Sequence, residues 1–217
     1  MSTWGIVPVK RLSEAKSSLS SVLDTETRKE LVLAMLDDVM RTLLSSPSVA
    51  GVIVVSPDAH VLEFAGKHGA ECVRDDSAEL NKALTMGVER AVQLKASSVL
   101  IIPGDVPLVR PHDVENIIAM AVGRREVVIS PSKKNGTDAL LLKPPKVMEL
   151  RFGGESFPLH LQEAHRAGIM PRIYRSSNLA NDLDDPEDID AIIAEGDGTR
   201  THQVLTRVRA NPYLTRK

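Results

Sequence analysis

Short runs of β-branched residues alternate along this chain with longer stretches whose apolar residues fall at helical spacing, and this alternation narrows the fold more than any other feature. Residues 49–56 (VAGVIVVS) and 98–103 (SVLIIP) are apolar almost throughout, as strands covered on both faces are. Between such runs lie two strongly amphipathic segments, 25–44 and 80–94. In the first, Leu31, Val32, Met35, Leu36, Val39, Met40, Leu43 and Leu44 draw one stripe. Leu80, Leu84, Val88, Ala91 and Val92 do so in the second. Strands separated by such helices form βαβ units. The expected fold class is therefore α/β, a mostly parallel central sheet with helices on both faces.

Weaker signals fill in the order. Residues 5–9 and 71–74 read as strands, 58–68 and 112–121 as helices. After residue 125 the pattern changes. Runs 126–131 and 139–143 are joined by the turn-rich SKKNGTD, a hairpin that adds a small antiparallel part. A loop at 152–156 (FGGES), a helix at 159–167 and a strand at 171–175 follow. Asp185-Pro186-Glu187 opens a last helix, with proline at its first position. One domain over 1–196 and a polar, loosely held tail over 197–217 are expected.

Bulk properties exclude several function classes. A net charge of −2 gives no electrostatic reason for a nucleic-acid or membrane partner. No apolar run approaches the roughly 18 residues of a membrane span, and the N-terminal segment MSTWGIVPVKRL lacks a signal-peptide core. The single cysteine, Cys72, rules out an internal disulfide and a cysteine zinc site and fits a reducing compartment. A cytoplasmic protein is expected.

Four stretches carry candidate chemistry. Ile101 to Leu108 (IIPGDVPL) ends a buried strand and presents Asp105 in a turn held by Gly104 and Pro107. Ligands of open α/β sheets bind beyond such carboxyl ends, although a turn-capping aspartate satisfies the same pattern. In NDLDDPED, Asp182 and Asp184 flank Leu183, so on extended backbone both face one way. With Asp105 they would make an oxygen site for Mg2+; part of this run also suits a helix cap. Lys10, Arg11 and Lys16, followed by Ser17, Ser18, Ser20 and Ser21, lie after the first strand and offer a polyphosphate cradle or a solvated basic loop. Lys133 to Thr137, with Gly153, Gly154 and Ser156, could grip a second anion. Neither GxGxxG nor a P-loop is present, and there is no GxSxG elbow. The six histidines show no metal-binding spacing and read as structural or exposed, while Trp4, Tyr174 and Tyr213 are too scattered to form a stacking platform.

Taken in order, IVPVK with Ala15-Lys16, ELNKAL, GDVPL, NGTDAL, FGGESF and DLDDPED resemble the 2-phospho-L-lactate guanylyltransferase family of deazaflavin coenzyme biosynthesis, a branch of the GT-A-like nucleotidyltransferases. The resemblance implies transfer of GMP from GTP to a small phosphorylated acid: 2-phospho-L-lactate, phosphoenolpyruvate or 3-phosphoglycerate. It further implies that Pro8, Lys10, Lys16, Asn81 and Gly104 bind the nucleotide, with Lys10 and Lys16 on the triphosphate and Asn81 by the nucleoside. Asp105, Asp182 and Asp184 would hold the metal, and Thr137, Gly153 and Ser156 the acid; Lys16 and Asp105 would be the catalytic pair. One departure stands out: Ser18 occupies a position where the family usually has arginine. Other readings kept open are a molybdopterin- or sugar-phosphate-type nucleotidyltransferase and a nucleotide-binding regulator without turnover. Oligomeric state is open, with a homodimer through the hairpin near 126–143 as one arrangement.

Overall fold

The computed structural model describes residues 2–14, 16–77 and 79–210; Ala15 and Tyr213 lie outside them. Seven strands, β1 (Thr3–Pro8), β2 (Val49–Ser56), β3 (Glu71–Arg74), β4 (Ser98–Ile101), β5 (Glu126–Pro131), β6 (Thr137–Lys143) and β7 (Arg172–Ile173), form one sheet in the order β3-β2-β1-β4-β6-β5-β7. Every neighbouring pair is parallel except those made by β6, which runs against both β4 and β5. The expected mostly parallel sheet with one antiparallel insertion is what forms.

The described residues also form eight α-helices: α1 (Thr25–Ser45), α2 (Ala59–Lys67), α3 (Leu80–Gln93), α4 (Pro111–Met120), α5 (Ser156–Arg166), α6 (Ser177–Ala180), α7 (Asp188–Glu195) and α8 (Arg200–Ala210). Alternation along β2 shows how they are divided. Val52 and Val54 enter one core with α1, α2, α4, α7 and α8, while Ile53 and Val55 enter a second with α3 and α5. Both faces are thus covered, which is why the central strands carry no polar alternation. Among the described residues no helix is long and apolar enough to cross a membrane.

Three expectations change. The acidic run does not open a helix at Pro186; α7 starts at Asp188, whose carboxylate accepts the Asp184 and Asp185 backbone N–H groups at 3.0 and 2.8 Å. That carboxylate satisfies backbone donors of a loop, and the loop continues to the helix start. The segment after Gly196 is not loose over Arg200–Ala210. There α8 lays Val204, Leu205 and Val208 on α1, and buried Asp38 caps it, accepting from Arg200 N (2.8 Å), Thr201 N (2.9 Å) and Thr201 Oγ1 (2.7 Å). Finally, β5 and β6 are internal and nearly all buried, so the strands of that hairpin offer no face for a second copy.

Candidate active site

The direction of β6 builds the site. Parallel strands β1 to β4 all end at one edge of the sheet, and a strand running the opposite way begins there. Hence Pro8 ending β1, Asp105 after β4, and Thr137 and Asp138 opening β6 share one cleft of about 880 Å³. Gly104 lets the β4 turn lie against the β1 end: a Cβ there would sit 3.4 Å from the Pro8 carbonyl oxygen and 3.3 Å from Val9.

One wall is electrostatic. Lys16 has left-handed backbone (φ 44°, ψ 51°), a conformation that costs a residue with a Cβ about 1 kcal/mol. It aims Nζ inward, 2.9 Å from Asp105 Oδ2 and 2.8 Å from Asp184 Oδ1. Burial works against the ammonium, but the fields of Asp105 and Asp184, with hydrogen bonds to both, outweigh it and raise the Lys16 pKa. The reciprocal effect appears at Asp184. Burial there would raise the pKa, yet Lys16 holds it below the ordinary carboxylate value. Asp182 forms no ion pair among the described residues, and burial followed by repulsion from Asp184 and Asp105 pushes it up. The acidic loop is pinned to the β4 turn by Leu183 N donating to Asp105 O at 3.1 Å.

The opposite wall is hydroxylic. Thr137 and Ser156 are both buried, and Ser156 Oγ donates to Thr137 Oγ1 at 3.1 Å. Gly153 (φ 115°) and Gly154 (φ 48°) turn the loop before α5 through conformations that side chains resist, with nothing within 4 Å of either missing Cβ. Phe157 N donates to Asn135 O at 2.9 Å, tying α5 to the β5–β6 turn. Val55, Pro57, Leu80 and Ala83 form an apolar end to the cleft, beside the buried carboxylate of Asp75.

Of the expected site residues, Pro8, Lys10, Lys16, Gly104, Asp105, Thr137, Gly153, Ser156, Asp182 and Asp184 all line this cleft. Asn81 does not. Its amide is spent on the Phe152 backbone, donating to Phe152 O at 2.9 Å and accepting from Phe152 N at 2.8 Å, so it braces the glycine loop from behind. The Lys16 charge is engaged by the Asp105 and Asp184 carboxylates.

The sequence profile of the family described as "Guanylyl transferase CofC like" matches residues 3–215. The chain belongs to this family. Over 197 residues it is 43% identical to the phosphoenolpyruvate guanylyltransferase of Rubrobacter xylanophilus, covering 90% of this chain and 96% of that one. Over 210 residues it is 37% identical to the 2-phospho-L-lactate guanylyltransferase of Methanothermobacter thermautotrophicus, covering 96% and 92%. In fold it matches a CMP:2-keto-3-deoxy-manno-octonic acid synthetase complexed with CTP at a TM-score of 0.61 and 15% identity, over 89% of this chain and 98% of that one. A CofC-like guanylyl transferase is an enzyme, a nucleotidyltransferase.

Two residues escaped the sequence reading. Asp138, adjacent to Thr137 in the buried strand β6, points into the cleft, and its Oδ2 has no hydrogen-bond partner among the described residues. Burial, then Asp182, Asp105 and Asp184, raise its pKa to about 8. An aspartate directly before the apolar run ALLL of a buried strand was the available signal. His160 is the second, buried directly behind Thr137. Ser18, the family departure, donates to the Asp184 carbonyl, so it fastens the acidic loop.

Proposed function

We propose that this CofC-like enzyme transfers GMP from GTP to phosphoenolpyruvate or 2-phospho-L-lactate, releasing pyrophosphate, as a step of deazaflavin coenzyme biosynthesis in the cytoplasm. The observation that carries the reading is the pairing of two walls in one cleft: Lys16 with Asp105, Asp182 and Asp184 on one, Thr137, Gly153 and Ser156 on the other. The names of the relatives support the choice of base and acids. A homodimer, in this reading, uses a surface other than the β5–β6 strands.

The reaction asks for little covalent chemistry. A phosphate oxygen of the acid forms a bond to the α-phosphorus of GTP while the bond from that phosphorus to the bridging oxygen of pyrophosphate breaks. The attacking oxygen is ionised near neutral pH, so no general base is needed. Two polyanions must instead be brought together, and catalysis consists of positioning and neutralisation. Lys10 and Arg11 at the rim and Lys16 within the cleft supply positive charge for the triphosphate. The glycine loop, Thr137 and Ser156 hold the acid in line, and the apolar end beside Leu80 and Ala83 receives the base.

The acidic residues fit a hard divalent cation. Asp105, Asp138, Asp182 and Asp184 lie close enough to raise the pKa of the two that Lys16 does not neutralise, and Asp138 Oδ2 is left unpartnered among the described residues. Asp105, Asp182 and Asp184 would hold magnesium, which when bound neutralises phosphate oxygens. Among the described residues no three such side chains already converge as a metal cage. Lys16 draws two of them to itself and must release them before they serve another cation.

Asp105→Ala tests the reading. Loss of pyrophosphate release by about a thousandfold in a folded variant is expected, and wild-type rates would remove Asp105 from the mechanism.

A further inference from the structure

His160 takes no part in the mechanism above, yet it is fully buried on α5 against the acid-binding wall. Its hydrogen bonds determine which ring nitrogen carries the proton. The Arg151 backbone N–H, which can only donate, points at Nε2 from 3.0 Å. Nε2 therefore accepts. The ring is also neutral. Burial, opposed only by nearby Glu163, lowers its pKa to about 4, and Glu163 is itself engaged by Arg151 and Arg166. The Phe152 ring closes the remaining side, edge-on at 4.7 Å between centroids.

With Nε2 accepting, the proton is on Nδ1, 2.9 Å from Thr137 Oγ1, and it is donated there. Ser156 Oγ donates to the same oxygen. A threonine hydroxyl has two lone pairs and one proton. Both lone pairs are thereby filled, and the Thr137 proton has no acceptor among the described residues. The remaining direction is the cleft that Thr137 lines. Had the ring carried its proton on Nε2, Thr137 would donate to Nδ1 and turn its one unfilled lone pair toward the cleft, repelling an anion.

We propose that His160 is a positioning residue for acceptor recognition: by donating from Nδ1 to Thr137, it turns the Thr137 hydroxyl outward as a donor to an anionic oxygen of the phosphorylated acid. The inference rests on the reading that this wall takes the acid. It makes the wall selective for an oxygen that accepts and hostile to one that donates.

Two measurements on the full chain test it. Long-range proton–nitrogen NMR on protein with 15N-labelled histidine, with the signal assigned by His160→Leu, should show a ring protonated at Nδ1 only, unchanged from about pH 5.5 to 8. An Nε2–H ring, or titration near 6.5, overturns the proposal. Steady-state kinetics then separates positioning from mere packing. His160→Leu should raise the KM for phosphoenolpyruvate about tenfold, the scale of one hydrogen bond, with the KM for GTP within about twofold. His160→Asn, which keeps a donor near the Nδ1 position, should recover to within about threefold of wild type. Equal rises in both KM values, or no recovery in a folded Asn variant, contradict it. If wild-type protein releases no pyrophosphate with either acid, the parent reading falls and takes this one with it; failure of the tautomer or of the KM split leaves the parent standing.

Discussion

Lys16 and Asp105, assigned from sequence to triphosphate and metal respectively, form one ion pair, with Nζ 2.9 Å from Asp105 Oδ2 and the same ammonium 2.8 Å from Asp184 Oδ1. A lysine held this way supplies the positive charge that the carboxylates require when no other cation is present. Its left-handed backbone keeps it at the junction of the basic and acidic loops. Under the proposed mechanism, nucleotide and metal binding would be coupled through this one side chain.

Lys16→Met makes that coupling measurable. Removing the competing ammonium should strengthen Mn2+ binding in the absence of nucleotide by about tenfold, while turnover with GTP falls by about a hundredfold. Calorimetry with Mn2+ alone reads the first effect independently of catalysis. Weaker or unchanged Mn2+ binding would show that Lys16 does not occupy the cation position.

Asp138 should give the fold a pH dependence when metal is chelated. Its native pKa, about 8, is above the 3.8 of a free aspartate, so the native state binds the extra proton between those values. Stability is then full below about pH 4 and falls as pH rises toward 8, by about 2 kcal/mol after discounting for relaxation. Asp138→Asn removes this slope. Parallel melting-temperature profiles for wild type and Asp138→Asn across that range would refute the assignment.

Asn81→Ala deletes both bonds to the Phe152 backbone and frees the Gly153–Gly154 loop. kcat/KM for the acid should drop about tenfold with the melting temperature little changed. Asn81→Asp should fare no better, because its carboxylate would face the Phe152 carbonyl. An Asn81→Asp variant with wild-type kinetics would mean that the loop is held by other contacts.

Asp38→Ala uncaps α8 at three donors and leaves the buried Thr201 hydroxyl unpaired. A loss of about 2–4 kcal/mol in denaturant unfolding is expected, with pyrophosphate release at 25 °C retained in the folded fraction. A change below about 0.5 kcal/mol would show that α8 is held by apolar packing alone.

What the sequence disclosed follows from how local the cause is. The bounds of β2, β3 and β5 and the start of α1 were legible because apolar period and turn residues lie within each segment. The cleft was legible too, since strand-end motifs must meet at one edge of a parallel sheet. Contacts distant in sequence were not. Asp38 caps a helix 162 positions away, and α8 carries only Val204, Leu205 and Val208 as an apolar stripe among polar neighbours. Asn81 reaches Phe152 across 71 positions. His160 read as one scattered histidine because Arg151 and Thr137, which determine its proton, are joined to it only by folding.

The most direct test is pyrophosphate release with magnesium, each of the four nucleoside triphosphates being paired with phosphoenolpyruvate and with 2-phospho-L-lactate. Release that requires GTP together with one of these acids, and that yields the guanylylated acid, is the predicted result. Release equally fast with ATP, CTP or UTP, or none from folded protein in any pairing, would contradict guanylyl transfer as the function of this cleft.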